Sequence, residues 1–208
     1  MEEEGFYPRF ASRGRTFVYV LPCRDEDILK VGFSRDPPNR FRTLHRRFFE
    51  FFDLDRGLLI QTDQLRDARR IERLFITRFA GHRAPAPLVV REAAAGYTEW
   101  FRGVSPPAEV LAREVCADQG FPLHAPLSSW LRERFVERST LLYSWSARML
   151  EALEYEYFNV PGPARSGHGA KVLRDVLDAC AALGMEIRAL VPAQVLDWYR
   201  SDDYFGAH

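Results

Sequence analysis

Two apolar, β-branched runs near the start of the chain constrain its fold more than any other feature. The first run is residues 16–21 (TFVYVL), which stops at Pro22, and the second is residues 28–33 (ILKVGF). Runs of this length and composition predict β-strands. The charged residues 24–27 between them predict a turn. We therefore expect two strands of one antiparallel sheet.

Helical patterns follow these strands. Asp36 and the two prolines after it are typical of a helix start, and apolar residues recur at helical spacing from Phe41 past Phe48, for about four turns. Residues 57–61 predict a third strand, and residues 62–79 predict a second helix. The order β-β-α-β-α predicts the α+β class, with a small three-stranded antiparallel sheet flanked by helices.

The chain also divides into two unlike parts. Residues 1–120 hold the strands and the first helices, whereas residues 121–208 have mainly helical patterns, so we predict an α+β domain followed by a mainly α-helical domain. The formal net charge is zero, from 29 basic and 29 acidic residues. When the chain is divided after residue 104 instead, residues 1–104 contain 19 basic and 15 acidic residues, and residues 105–208 contain 10 basic and 14 acidic residues. The zero net charge of the whole chain therefore does not argue against a polyanionic partner for the more basic residues 1–104.

Cysteine spacing and hydropathy exclude several classes of protein. The three cysteines are far apart and form no C-x-x-C pattern, which argues against a disulfide framework and against a zinc site. No apolar run is long enough to span a bilayer, so no membrane partner is expected. The acidic residues 2–4 do not resemble a secretory signal, and we expect a cytoplasmic location.

Glu72 lies where an apolar side chain is expected. On a helical wheel at about 100° per residue, it projects into the middle of an apolar face. That face is formed by Leu65, Ala68, Phe75, Ile76 and Phe79. A carboxylate on such a face is costly unless it is paired or bound to a cation. Two interpretations stay open: a buried Glu–Arg pair, or a metal ligand or acid–base group at the floor of a cleft.

Arginines cluster around the first predicted helix. Arg40 lies in its first turn, where the helix dipole disfavours a cation, so its position favours a nearby anion such as phosphate. The alternative is one more surface arginine. Arg35, Arg42 and Arg46 flank the same helix, and Lys30 lies on the preceding strand. We predict that these four residues bind the phosphates of a substrate.

Several short segments together resemble the GIY-YIG nuclease family, over about residues 15–104. They are Tyr19 in F-V-Y-V, the segment L-K-V-G-F-S at residues 29–34, Arg40 eight residues beyond Gly32, Glu72 on a helix, and T-E-W-F at residues 98–101. The second and last segments are similar to the branch that reads K-[IV]-G-x-[ST] and ends in E-W-F. Lys30 then stands where other members have a tyrosine.

This resemblance implies an endonuclease that hydrolyses DNA phosphodiester bonds with one divalent cation, Mg²⁺ or Mn²⁺. It implies that Glu72 holds the metal and that Arg40 neutralises the charge developing on the phosphate. It implies that Tyr19 is the general base or orients the attacking water. Lys30 would contact phosphate or lower the pKa of Tyr19, and the alternative is a strand-end lysine that faces solvent.

Partners and alternative functions follow from the same reasoning. DNA is the expected partner, and RNA stays open. The helical domain is expected to recognise the target, to form a homo-oligomer or to bind a protein partner. One alternative to the enzyme is a catalytically degenerate GIY-YIG-like module that binds nucleic acid or protein. Another is an effector or toxin nuclease that a cognate inhibitor restrains.

Overall fold

The computed structural model describes residues 14–90, Gly96 and residues 98–206. Within that part of the chain there are two compact units, one ending at Leu131 and the other beginning at Arg132. The first unit contains the sheet and the second consists of helices and short connections. The domains predicted at residues 1–120 and 121–208 stay a prediction, because compactness alone does not show that either part folds by itself.

The first unit is built on an antiparallel sheet, which has five strands in the described part of the chain. The strands are β1 Thr16–Pro22, β2 Ile28–Ser34, β3 Leu58–Thr62, β4 Trp100–Arg102 and β5 Leu123–His124. Their order across the sheet is β4-β2-β1-β3-β5, so β1 is central. The α+β class with flanking helices is confirmed, but the predicted number of three strands is wrong. β4 and β5 are too short to show the alternating pattern by which a strand is recognised in a sequence.

Eight α-helices occur in the described residues. They are α1 Pro37–Leu44, α2 Phe48–Phe51, α3 Leu65–Arg78, α4 Ser105–Gln119, α5 Leu127–Glu137, α6 Ser139–Asn159, α7 His168–Ala182 and α8 Ala193–Arg200. The single helix of about four turns expected after Asp36 is broken into α1 and α2. His45 ends α1 with an extended backbone (φ −147°, ψ 128°). Its ring stacks on Phe51 with centroids 4.6 Å apart, so aromatic packing stabilises the break.

β1 is buried along its whole length, because packed side chains cover both faces of the sheet. Alternate residues of a strand point to opposite faces. Val18 and Val20 pack into a core shared with α3 and α4. Further members of that core are Leu29, Val31, Ile60, Ala68, Ile71, Phe75, Ala108 and Ala112. Phe17 and Tyr19 point the other way, and the Tyr19 ring meets Phe41 of α1 edge to face at 5.4 Å.

The second unit packs α6 against α7 and α8. Its buried side chains are mostly aliphatic, with two tryptophans. They include Leu142, Trp145, Leu150, Leu153, Val172, Leu173, Leu177, Val195 and Trp198. Of the helices in the described residues, none combines the length and the apolar composition that crossing a bilayer demands.

Candidate functional site

Tyr19 lies on the central strand with its ring against the backbone of the neighbouring strand. The register of β1 and β2 places Tyr19 directly opposite Gly32. A Cβ atom on Gly32 would lie 2.6 Å from Cζ of Tyr19 and closer still to its hydroxyl oxygen. Only a glycine at this position leaves room for the phenol group.

Arg40 is joined to Tyr19 by a hydrogen bond. The Asp36 side chain accepts a hydrogen bond from the backbone N–H of Asn39 at 3.2 Å, which fixes the start of α1. One turn along that helix, Nε of Arg40 donates to the Tyr19 hydroxyl oxygen at 3.2 Å. Burial raises the pKa of Tyr19 to about 12, although the Arg40 guanidinium opposes this shift. The phenol therefore keeps its proton at neutral pH, and a lowering of its pKa by a bound cation stays a prediction.

Lys30 is fully buried and paired with a carboxylate. Its Nζ donates a hydrogen bond to Oε2 of Glu99 at 2.5 Å and lies 5.2 Å from the centroid of the Trp100 ring. Burial lowers the pKa of Lys30, while the hydrogen bond to Glu99 opposes that shift. The interpretation of Lys30 as a strand-end lysine that faces solvent is therefore wrong.

The sequence pattern indicates no role for Glu99 or for Gly96. Glu99 is held beside β2 because its backbone carbonyl accepts a hydrogen bond from the N–H of Val31 at 2.9 Å. Gly96 has a positive φ of 63°, and a Cβ atom there would lie 3.0 Å from Nζ of Lys30 and overlap the Glu99 carboxylate. The only signal for Glu99 was its place in T-E-W-F, between a polar residue and two aromatic residues that form the core.

Glu72 lies at the edge of the buried face of α3 and not at its centre. The residues that α3 buries are Ala68, Ile71 and Phe75, and Glu72 itself is half-buried. Across the described part of the chain, no residue forms a hydrogen bond or an ion pair with its carboxylate. The expected alternative of a buried Glu–Arg pair is therefore not found there. Burial, helped by the charge of Glu99, raises the pKa of Glu72 to about 7.

These residues form one electrostatic cluster. Arg40, Glu99 and Glu72 all act on the pKa of Tyr19. Arg40 and Lys30 also lower the pKa of Glu72, in opposition to its burial. Of the sequence-predicted site residues, the structure thus brings together Tyr19, Arg40, Glu72 and Lys30. With Glu99 added, the cluster contains two acidic groups and two cations around a buried phenol, and we call it the polar cluster.

The remaining predicted substrate-binding residues lie around α1. Arg35 is exposed, while Arg42 and Arg46 are half-exposed. Arg42 donates a hydrogen bond through Nη2 to Oδ1 of Asn39 at 2.5 Å, within the same helix. None of these three arginines is among the charges that shift the pKa of Glu72. Their contact with a substrate phosphate stays a prediction.

Glu72 is the side chain of the polar cluster that best suits a divalent cation. No group of three or more His, Cys, Asp or Glu side chains with metal-binding geometry occurs in residues 14–90, 96 and 98–206. A cation such as Mg²⁺ commonly uses only one or two carboxylates and takes its other ligands from water and substrate phosphates. A half-buried carboxylate oxygen with a raised pKa gains strongly from a nearby cation. The donor chemistry therefore fits Mg²⁺ or Mn²⁺.

Comparison with known families matches the T5orf172 domain to residues 16–116, which include the whole polar cluster. The assignment of residues 15–104 to the GIY-YIG nuclease family is therefore wrong, since a different family matches this stretch and no GIY-YIG model does. The segments that suggested it are short and built from common residues, and such motifs recur in unrelated domains. No curated protein and no solved structure matches the chain.

The matched family bears on function at a coarse level. The T5orf172 domain is a nuclease-like domain family. The match therefore supports a nuclease or a nucleic-acid-binding role for the part of the chain that contains the polar cluster.

Proposed function

We propose that this protein is a divalent-metal-dependent endonuclease that hydrolyses DNA phosphodiester bonds at the polar cluster. The observation that carries the proposal is the half-buried Glu72 carboxylate, which has no partner among the described residues and lies within the field of Arg40. Phosphodiester hydrolysis needs a ligand for a metal ion and a cation for the developing phosphate charge. Glu72 and Arg40 supply these two groups. The nuclease-like family match supports the same class of reaction.

Arg40 and Tyr19 would act as a unit. The guanidinium would neutralise the charge that develops on the phosphate in the transition state. Its hydrogen bond to the Tyr19 oxygen orients the guanidinium and leaves the phenol proton to be donated to water or to a phosphate oxygen. Because the pKa of Tyr19 is raised to about 12, we assign Tyr19 the role of orienting the attacking water and not that of the initial base.

Glu72 would hold the Mg²⁺ or Mn²⁺ ion. When bound, the cation supplies positive charge at the phosphate and lowers the pKa of its bound water. The protein's own contribution is to present the carboxylate at the boundary of its core, where screening by water is weak and attraction to a cation is strong.

Lys30 and Glu99 would position other groups of the site and would not contact the substrate. A direct contact between Lys30 and phosphate would require the ammonium to leave Glu99 and become exposed, and it is fully buried. Its charge still acts on Glu72 through space. We therefore assign the pair a positioning role, in which Lys30 holds the Glu99 carboxylate away from Glu72.

One alternative is favoured by a specific observation. A module that binds nucleic acid without cutting it would not require activation of Tyr19, and the pKa of Tyr19 is raised and not lowered. The same part of the chain, which is rich in arginine, would then bind phosphates without a hydrolytic step.

Nicking of supercoiled plasmid separates these proposals. The wild type is compared with Glu72→Gln and Arg40→Ala, in Mg²⁺, in Mn²⁺ and in EDTA. Glu109→Gln is the matched control, because Glu109 is a surface glutamate of α4 paired with Arg113. We expect metal-dependent nicking by the wild type and the control, and rates lower by about a hundredfold or more for the two site variants. DNA binding without nicking by any protein would favour the binding module. Equal nicking by Glu72→Gln would refute the site.

A further inference from the structure

Three arginines on the exposed side of α3 indicate how the substrate reaches the polar cluster. We infer that Arg66, Arg69 and Arg73, here called the α3 arginine row, form the surface that binds the phosphate backbone of duplex DNA next to Glu72. The inference rests on the proposed function, because it names the surface that leads the substrate to the proposed site.

The row has the geometry of a linear charged surface. All three side chains are exposed. At about 100° per residue they fall within about 60° of one another around the helix axis. With a rise of about 1.5 Å per residue, the first and last are about 10 Å apart along the axis. Phosphates of one DNA strand recur about every 3.4 Å along the duplex, so the row is long enough to meet about three of them.

The row runs directly beside the proposed metal ligand. Glu72 lies about 60° from Arg69 around the helix, on the side that turns toward the core. The charge of Arg69 acts on the Glu72 carboxylate, as one of the three cations that lower its pKa. A strand that is bound along the row therefore passes Glu72. Asp67, the other acidic residue within the same stretch of α3, points away from the row by about 100° or more.

The guanidinium groups of the row are available for a ligand. In the described part of the structure, none of the three forms a hydrogen bond or an ion pair. Other arginines nearby are engaged within the protein. On α3, Arg70 pairs with Asp67 at 3.6 Å. At the start of α2, Arg47 pairs with Glu50 through two hydrogen bonds of 2.7 and 2.6 Å.

Charge supports duplex DNA as the occupant. Three adjacent cations with no acidic side chain among them complement a row of phosphates, and guanidinium groups bind phosphate oxygens in a bidentate manner. The predicted arginines around α1 would then contact a different part of the backbone. Binding through phosphates releases counterions, so it weakens as salt rises, by a logarithmic slope of about 0.9 for each phosphate contact.

The test measures how steeply DNA binding weakens with salt, under conditions in which the DNA is not cleaved. Fluorescence anisotropy follows the binding of a labelled DNA duplex in EDTA, from about 50 to about 200 mM salt. The proteins are the wild type, the triple variant Arg66→Ala/Arg69→Ala/Arg73→Ala, the same positions changed to Lys, and Arg113→Ala as a surface control that is paired with Glu109. We expect the slope to fall by about 2 to 3 in the alanine variant. The lysine variant and the control should keep most of it.

Separate outcomes decide the two proposals. Circular dichroism and thermal melting establish that each variant is folded. An unchanged slope in the folded alanine variant, an equal loss in Arg113→Ala, or no DNA binding by the wild type would overturn the inference. Plasmid nicking in Mn²⁺ by the same proteins tests the enzyme independently. If the wild type nicks DNA while the slope is unchanged in the alanine variant, the endonuclease proposal is supported and the inference about the α3 arginine row is refuted. If the slope falls in the alanine variant but the wild type never nicks DNA, the inference about the row is supported and the endonuclease proposal is refuted.

Discussion

The two faces of the central strand β1 differ in kind, although they belong to consecutive residues. Toward α3 and α4, Val18 and Val20 meet only apolar side chains of the core. Toward α1, Tyr19 meets the bare backbone of Gly32 and the guanidinium of Arg40. Burial of apolar area stabilises the first face without directional demands. The second face depends on particular polar partners, each costly to remove. One side of the strand thus contributes mainly to stability, whereas Tyr19 on the other side contributes to the polar cluster.

The largest effect on stability is expected on the apolar face. Phe75 of α3 is fully buried in the core, and Phe75→Ala should lower the free energy of unfolding by about 4 kcal/mol, because it leaves a cavity. Urea denaturation measures the loss. The nicking rate per folded molecule should stay close to that of the wild type. A folded Phe75→Ala protein that cannot nick DNA would mean that the two faces are not separable.

On the polar face, the pair formed by Lys30 and Glu99 should carry the next largest effect. Glu99→Gln leaves the buried ammonium without a carboxylate, which should lower the free energy of unfolding by about 3 kcal/mol. The double variant Lys30→Met/Glu99→Gln removes both charges and should recover most of that loss, and the single variant Lys30→Met completes the set. A double-mutant cycle in urea measures the coupling between the two side chains. Additive effects of the two single changes would show that the pair is not coupled.

Close packing between strands should give a smaller effect on stability and a clear effect on activity. Gly32→Ala places a methyl group against the Tyr19 ring, at a cost of about 2 kcal/mol, and displaces the phenol from Arg40. Gly81→Ala is the matched control, since a Cβ atom there meets nothing within 4 Å. Thermal melting and plasmid nicking should separate the two variants. Equal behaviour would show that the contact of Tyr19 with Gly32 is not needed.

The smallest effect is the pH dependence of stability that arises from Glu72. Its pKa is about 7 in the folded protein, against an ordinary value of 4.5. The folded state therefore binds more protons than the unfolded state between these values, and stability is lost as the pH rises through about 7. In EDTA, the melting temperature of the wild type relative to Glu72→Gln should fall from pH 5 to pH 8. A constant difference between the two proteins would contradict the raised pKa.

Several features of the molecule could be predicted from the sequence for physical reasons. The runs that form β1 and β2 are long and mostly apolar, so their composition alone identifies them as strands. Asp36 followed by two prolines marked the start of α1 correctly. Glu72 was noticed because a carboxylate among apolar residues is costly. These signals are local, and each can be read within one turn or one strand.

The features that could not be predicted depend on contacts distant in sequence. Lys30 and Glu99 are 69 residues apart, and no local pattern indicates that they pair. The sequence predicts Glu72 at the centre of the apolar face of α3, but Ile71 is also buried and shifts the centre of that face away from Glu72. β5 has two residues and forms only through pairing with β3. The family assignment failed because short motifs lack the specificity of a match along the whole domain.

The central claim is that the Glu72 carboxylate holds the divalent cation of a nuclease site. Electron paramagnetic resonance measures free Mn²⁺ directly, so it reports how much of the ion a protein binds in the presence of a short DNA duplex. The wild type and the surface control Glu109→Gln should each bind one Mn²⁺ ion, and Glu72→Gln should bind it at least about tenfold more weakly. Equal Mn²⁺ binding by all three proteins would contradict the claim.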